Sequence, residues 1–270
     1  MSQEIRPAAH ELSVTDELSV ADELFKAYET REPIEPPRMT IPGLDVSGAY
    51  RIQSVQEQAF IATGHNVVGR KIGLTSLAMQ KQLGVDSPDF GFFTDQMVFV
   101  DGDTIEVSRF IAPKIEPELG FRLAADLPVD ADFETVASAI EGVYLAAEVI
   151  DSRVRDWDIR LVDTIADNAS CGAVVVAQRP VSVAVADLPK VTALMAINDV
   201  AKGEGSGEAV MGHPLNPLVW LVRTLAEQGV TLKRGDLVLT GSFCGAAPVT
   251  AGDTVTVDYG PLGTLTATFE

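Results

Sequence analysis

Two apolar segments of this chain carry glutamates where a packed strand ordinarily holds no charge. The first is Pro113-Lys114-Ile115-Glu116-Pro117-Glu118-Leu119-Gly120-Phe121. The second is Val143-Tyr144-Leu145-Ala146-Ala147-Glu148-Val149-Ile150-Asp151. Both read as strands, because apolar residues alternate or run continuously over a strand's length. Alternation sends Glu116 and Glu118 to one side, and Ile115, Leu119, Phe121 and Leu123 to the other, into a core. A carboxylate among apolar neighbours is costly to bury unless something compensates it. Three converging carboxylates repel one another, and a hard divalent cation removes that cost. The pattern points to a magnesium or manganese site with three oxygen ligands and open positions for a substrate. The alternative is a solvated strand face, with Glu148 paired to an Arg or Lys. Surface glutamates are common, so the E-x-E pair alone discriminates little. The apolar setting of Glu148 favours the metal site.

The chain has 270 residues and 46% hydrophobic content, enough for one large domain or a domain with a small appendage. Its 20 Lys+Arg against 39 Asp+Glu give a formal net charge of -19. That balance argues against nucleic acid, which needs clustered cations, and against anionic membrane surfaces. A small anionic substrate could still bind where a metal reverses the local potential. The two cysteines, Cys171 and Cys244, lie far apart in no C-x-x-C pattern. A reduced, cytoplasmic protein is the simplest expectation. No secretory signal or apolar stretch of membrane-spanning length is visible.

Residues 1–41 are polar and acidic and form an N-terminal extension: a disordered start, a helix over 21–28, and a linker broken by Pro33, Pro36 and Pro37. Glu11-Leu12-Ser13-Val14 recurs as Glu17-Leu18-Ser19-Val20, too short for a repeat architecture. Residues 42–270 form the main domain. A helix is expected over 47–63, capped by Ser47 and stopped by Gly64. A short strand over 66–73 leads to Lys71, a helix follows over 76–83, and 88–91 reads as a turn or loop. A helix over 133–140 precedes the strand of Glu148. Strands are expected over 173–177 and 191–197, with a hairpin turn over 198–207. A helix over 213–228 ends at Gly229. Strands over 237–240, 254–259 and 262–269 close the chain. Many short strands with a few helices indicate a mixed α+β, β-rich fold. No G-x-G-x-x-G or Walker sequence appears in the right context, so no nucleotide cofactor is expected.

Other residues could carry chemistry. Lys71 follows Arg70 and could orient a carboxylate, or transfer protons if its pKa is lowered; otherwise both are ordinary surface charges. Asp89 follows Pro88 and could cap its own turn or face a closed pocket. The polar run from Asp151-Ser152-Arg153 to Asp167-Asn168-Ala169-Ser170-Cys171-Gly172 could orient metal ligands, or could be a self-capped loop. The glycines of Thr240-Gly241-Ser242-Phe243-Cys244-Gly245 allow close backbone approach to a ligand. Ser242 lacks a nucleophile context, and His10, His65 and His213 lack metal-ligand spacing.

Taken in order, these motifs resemble the fumarylacetoacetate hydrolase superfamily, in its 2-keto-4-pentenoate hydratase and 4-oxalocrotonate decarboxylase branch. The resemblance spans about residues 41–270. It rests on Gly69-Arg70-Lys71-Ile72-Gly73-Leu74-Thr75, on Gln82-Leu83-Gly84-Val85-Asp86-Ser87-Pro88-Asp89-Phe90-Gly91, and on Ile115-Glu116-Pro117-Glu118. Glu148-Val149-Ile150-Asp151-Ser152-Arg153, Asp167-Asn168-Ala169-Ser170, Leu239-Thr240-Gly241-Ser242 and Ala251-Gly252-Asp253 complete it. It implies a curved mixed sheet around the active site with peripheral helices. It implies a Mg²⁺ or Mn²⁺ ion held by Glu116, Glu118 and Glu148, with Lys71 and Asp89 in proton transfer. It places Leu74, Ser170, Thr240, Gly241 and Ser242 beside the substrate. It further implies a homo-oligomer, a possible complex with a pathway enzyme, and short 2-hydroxydienoic or 2-oxoenoic substrates from meta-cleavage of aromatic or sterol rings. Hydration of 2-hydroxypenta-2,4-dienoate is the expected reaction. Decarboxylation of 2-oxohex-3-enedioate is the alternative, with Arg153 and Arg155 as candidate partners for the second carboxylate. Acylpyruvate-type C–C hydrolysis and a non-catalytic partner role rank behind these. The N-terminal extension is the one departure from the family pattern.

Overall fold

The computed structural model describes residues 14–76, 80, 85 and 87–270. The start of the extension and most of the helix expected over 76–83 lie outside these residues. Thirteen strands are found among the described residues: β1 Val67–Gly73, β2 Asp89–Thr94, β3 Val98–Val100, β4 Thr104–Ile105, β5 Lys114–Leu123, β6 Ile140–Ile150, β7 Cys171–Val176, β8 Thr192–Ile197, β9 Val200–Ser206, β10 Leu237–Leu239, β11 Ala247–Pro248, β12 Thr254–Asp258 and β13 Thr264–Phe269. They form two mixed sheets. The larger runs β2-β1-β10-β5-β6-β7-β3 with β11 beside β5, and the smaller runs β4-β13-β12-β8-β9.

The long β5–β6 ladder organises the molecule. One of its faces carries Ile115, Leu119, Phe121, Leu145, Ala147 and Val149, which enter the main core together with Met195, Val255, Val257 and Leu265 of the smaller sheet. The opposite face packs Ala146, with Val174, Leu237 and Leu239 of neighbouring strands, toward Phe60 and Phe25 of the N-terminal helices. The glutamates belong to this second face, so the expected alternation along β5 holds.

The helix expected over 21–28 is longer, Val14–Thr30, and buries Val20, Ala21, Leu24 and Ala27. It packs on the Val46–Ala62 helix, where Arg51 clasps Glu17 through two hydrogen bonds of 2.9 and 2.6 Å. The proline-bearing stretch is pinned too: the Ile34 N–H donates to the Arg153 carbonyl at 2.8 Å. The N-cap of the second helix is Asp45 rather than Ser47, its carboxylate accepting the Gly48 N–H at 2.8 Å. Aspartate at that position also favours the positive helix end.

Two loop expectations are overturned. The 88–91 stretch opens β2, which is buried at every position. A strand covered on both faces shows no alternation, and Pro88 and Gly91 made it read as a turn. The 198–207 stretch turns only at Asn198 and Asp199, both with positive φ, and continues as β9. β9 is a polar edge strand with little apolar signal. The closing helix is Asn216–Glu227, with Gly229 at φ 72° beyond it, as expected. No described helix is long and apolar enough to cross a membrane.

Candidate active site

Glu116 faces Glu148 directly across the β5–β6 register, and Glu118 lies one pleat further along the same face. Each of the three offers a carboxylate oxygen within 4.8 Å of the others. Glu118 and Glu148 are fully buried, and Glu116 is partly buried. Glu118 Oε2 accepts the Gly241 N–H at 2.8 Å, but Oε1 has no hydrogen-bond partner. Lys71 Nζ stands 3.1 Å from Glu148 Oε1, close enough for an ion pair. That ion pair engages Oε1, while Glu148 Oε2 stays without a partner. Buried carboxylate oxygens left unpaired are rare, because each forfeits its hydration. Burial, then the neighbouring carboxylates, push Glu116 up to about 8. The same causes raise Glu118 well above the usual carboxylate range. Burial raises Glu148 as well, against the opposing Lys71 charge.

Lys71 and Asp89 meet over Gly73. A Cβ on Gly73 would lie 2.3 Å from Asp89 Oδ1 and 3.5 Å from Lys71 Nζ, so only glycine leaves room for both. β1 and β2 pair antiparallel with Gly73 opposite Asp89, which brings the two side chains together. Both are buried. Burial works against the charge on Lys71, but Glu148 and Asp89 outweigh it, and its pKa is raised rather than lowered. Burial raises Asp89, while Lys71 and the Thr164 hydroxyl oppose the rise.

The polar run after β6 forms a rigid lock beside the site. Arg153 is buried and gives hydrogen bonds to Asp167 Oδ1 (2.6 Å), the Asp167 carbonyl (2.6 Å) and the Cys171 carbonyl (2.9 Å). The Asn168 amide clamps both backbone groups of Phe92, at 2.8 and 2.9 Å. Asn168, Ala169 and Ser170 all have positive φ near 50°, an unfavourable run for residues with side chains. That turn sets the Ser170 hydroxyl 3.4 Å from Thr164 Oγ1, which in turn lies 3.4 Å from Asp89 Oδ2. Arg155 is exposed and paired with Glu35 at 2.9 Å. Arg153 is therefore engaged within the fold and not free to meet a substrate carboxylate, contrary to expectation.

The remaining expected residues gather at the same place. Leu74 follows Gly73 in a left-handed conformation, φ 56°. The buried Thr240 hydroxyl has no partner. The Ser242 hydroxyl turns back to the Cys244 carbonyl. Gly241 has φ +116°, and a Cβ there would meet Thr75 Oγ1 at 2.0 Å. Gly241→Ala is expected to lower stability by about 2 kcal/mol through backbone strain and collision. It should also displace the N–H that steadies Glu118, so melting temperature and turnover fall together. An unchanged melting curve would refute the close approach.

Sequence reasoning missed Tyr259. Its buried hydroxyl lies 2.8 Å from the Glu118 carbonyl and 2.7 Å from the Ala146 carbonyl, supporting the ladder behind the carboxylates. Nothing local in Asp258-Tyr259-Gly260 signals that reach. Thr164 was visible only as part of a polar stretch. His213 is structural: Nδ1 accepts the Leu215 N–H at 3.1 Å.

A mixed sheet here presents a buried carboxylate cluster with an adjoining lysine and aspartate, a constellation able to serve metal binding and acid–base chemistry. The chain belongs to the fumarylacetoacetate (FAA) hydrolase family, whose C-terminal family model matches residues 59–270. It is 41% identical over 247 residues to the 2-keto-4-pentenoate hydratase of Paraburkholderia xenovorans LB400, covering 91% of this chain and 92% of that protein. It is 36% identical over 248 residues to the 2-hydroxyhexa-2,4-dienoate hydratase of Comamonas testosteroni, covering 91% and 94%. Its structure is similar to 4-oxalocrotonate decarboxylase from Pseudomonas putida G7, complexed with magnesium and adipate, with TM-score 0.92, 33% identity, and 97% and 100% coverage.

Proposed function

We propose that this chain is a divalent-metal-dependent hydro-lyase that converts 2-hydroxypenta-2,4-dienoate, or a close analogue, to a 4-hydroxy-2-oxo acid in meta-cleavage catabolism. The observation that carries the reading is the buried carboxylate cluster of Glu116, Glu118 and Glu148, in which Glu118 Oε1 and Glu148 Oε2 have no partner. Such oxygens fit Mg²⁺ or Mn²⁺, which take oxygen ligands and leave positions for water or substrate. The ion would supply a Lewis acid for the 2-oxo acid end and offset its enolate charge. Glu116, Glu118 and Glu148 would hold that ion, and the Gly241 N–H fixes the orientation of Glu118.

Lys71 and Asp89 serve the proton transfers, Lys71 as a donor because Glu148 and Asp89 hold it in its charged form. The enol proton leaves as C5 gains one, giving a conjugated 2-oxo-3-enoate. Water then adds its hydroxyl at C4 while C3 takes a proton. Asp89, raised by burial, keeps its proton closer to neutral pH than an exposed aspartate. Thr164, with Ser170 behind it, orients Asp89. Leu74, Thr240, Gly241 and Ser242 shape the space around the substrate.

The hydratase relatives favour hydration over decarboxylation. A direct comparison of kcat/KM on the dienoate and on 2-oxohex-3-enedioate tests the choice. The dienoate is expected to be preferred; preference for the enedioate with carbon dioxide release would transfer the assignment to the decarboxylase. The protein is also proposed to be a homo-oligomer able to associate with a pathway enzyme, which light scattering measures directly.

Metal binding should be pH-dependent. Because Glu116 is pushed up to about 8, a bound cation has to displace protons, and affinity weakens as pH falls below that value. Stability of the metal-free chain runs the other way. A carboxyl protonated more easily when folded than unfolded stabilises at low pH and loses that contribution as pH rises. From the unfolded value of 4.5 toward 8, the metal-free melting temperature should fall, and added Mg²⁺ or Mn²⁺ should reverse the fall. A metal-free melting temperature that rises over this window would contradict the site.

A further inference from the structure

The carboxylate face of β5 does not end at Glu116. Lys114 is the next residue on that face, roughly 7 Å further along the strand. Exposure increases in that direction: Glu118 is buried, while Glu116 and Lys114 are partly open. Exposure thus rises toward Lys114, while Lys71 and Asp89 are buried. Lys114 has no carboxylate in ion-pair range among the described residues; its Nζ sits 3.9 Å above the Trp157 ring. Trp157 is held there with some strain. It and Asp156 both have positive φ, 56° and 57°, and its indole N–H donates to the Ala112 carbonyl at 3.1 Å. A tryptophan held left-handed to seat a lysine at the mouth of a site is a feature that solvation alone does not explain.

Resting on the hydratase reading above, we propose that Lys114, seated on Trp157, is a specificity residue that binds a terminal anionic group at the far end of the substrate. A ligand whose 2-oxo acid end sits at the glutamate cluster has its tail directed to the more exposed end. A linear six-carbon diacid spans a distance comparable to the Glu116–Lys114 spacing. The site is thereby able to take dicarboxylic analogues, and Lys114 sets how strongly they compete with monocarboxylic ones.

The test is calorimetric binding of adipate and of hexanoate to the full-length, Mg²⁺-loaded protein, for wild type, Lys114→Met and Lys114→Arg. Hexanoate has the same chain length and lacks the far charge, so the affinity ratio isolates that end. Wild type and Lys114→Arg are expected to prefer adipate, and Lys114→Met to lose about tenfold of that preference while still binding hexanoate. The same ratio in all three proteins would overturn the proposal. So would loss of the preference in Lys114→Arg as well, because charge would then not be the cause. Absence of dienoate turnover would refute the hydratase reading instead, and the binding ratio does not depend on it.

Discussion

Glu118→Gln abolishes tight metal binding and lowers turnover by about a thousandfold, the scale of losing a preorganised electrostatic contact. The substitution preserves volume, and the amide oxygen can still accept the Gly241 N–H that now reaches Oε2 at 2.8 Å. The new NH₂ occupies the place of Oε1, which at present has no partner. A donor there faces Glu116 and Glu148 where a cation needs an acceptor. The metal-free variant has the opposite stability sign. Above about pH 8, where Glu116 gives up its proton, removing one of the three clustered acids relieves the repulsion that raises Glu116 and Glu118, so there it should melt higher than the metal-free wild type. A purely structural glutamate would give lower stability with and without metal. Retained metal-dependent turnover would remove Glu118 from the ligand set.

Lys71→Met gives a complementary pattern. Metal binding persists, because the three carboxylates remain, while turnover falls by about 10² to 10⁴, the range for a lost proton-transfer group. Lys71 also counters charge, lying 3.1 Å from Glu148 and beside Asp89. Removing one partner of a buried ion pair typically costs about 3–5 kcal/mol, so the metal-free variant should melt well below the wild type. Added Mg²⁺ or Mn²⁺ restores most of that loss without restoring the rate. Differential scanning calorimetry with and without metal, beside steady-state kinetics, separates the two roles. A variant with unimpaired turnover would reduce Lys71 to a counter-charge.

The alternation rule and one apolar strand made the glutamate cluster legible, because a carboxylate in such a strand has few stable explanations. The β-rich fold class and the closing helix followed from short apolar runs and from glycine placement. Where expectation failed, the local signal was absent or belonged to another part of the chain. β2 is covered on both faces and shows no period. β9 lies at a sheet edge and needs no apolar face. Asp45 displaced Ser47 as the cap although both suit the role. Arg153 looked like a free cation, but its partner Asp167 is fourteen residues away and equally buried. Tyr259 reaches Glu118 from the other sheet, a contact 141 residues apart in sequence.

The central claim is a hydration carried out at the glutamate cluster. Its most direct test is turnover of freshly generated 2-hydroxypenta-2,4-dienoate in ¹⁸O-labelled water, with Mg²⁺ or Mn²⁺ and then with EDTA, followed by ultraviolet absorbance and product mass. The account predicts metal-dependent loss of the dienoate and a product heavier by one labelled water, both abolished by EDTA. Full activity in EDTA, or metal-dependent consumption with no gain of water, would contradict it.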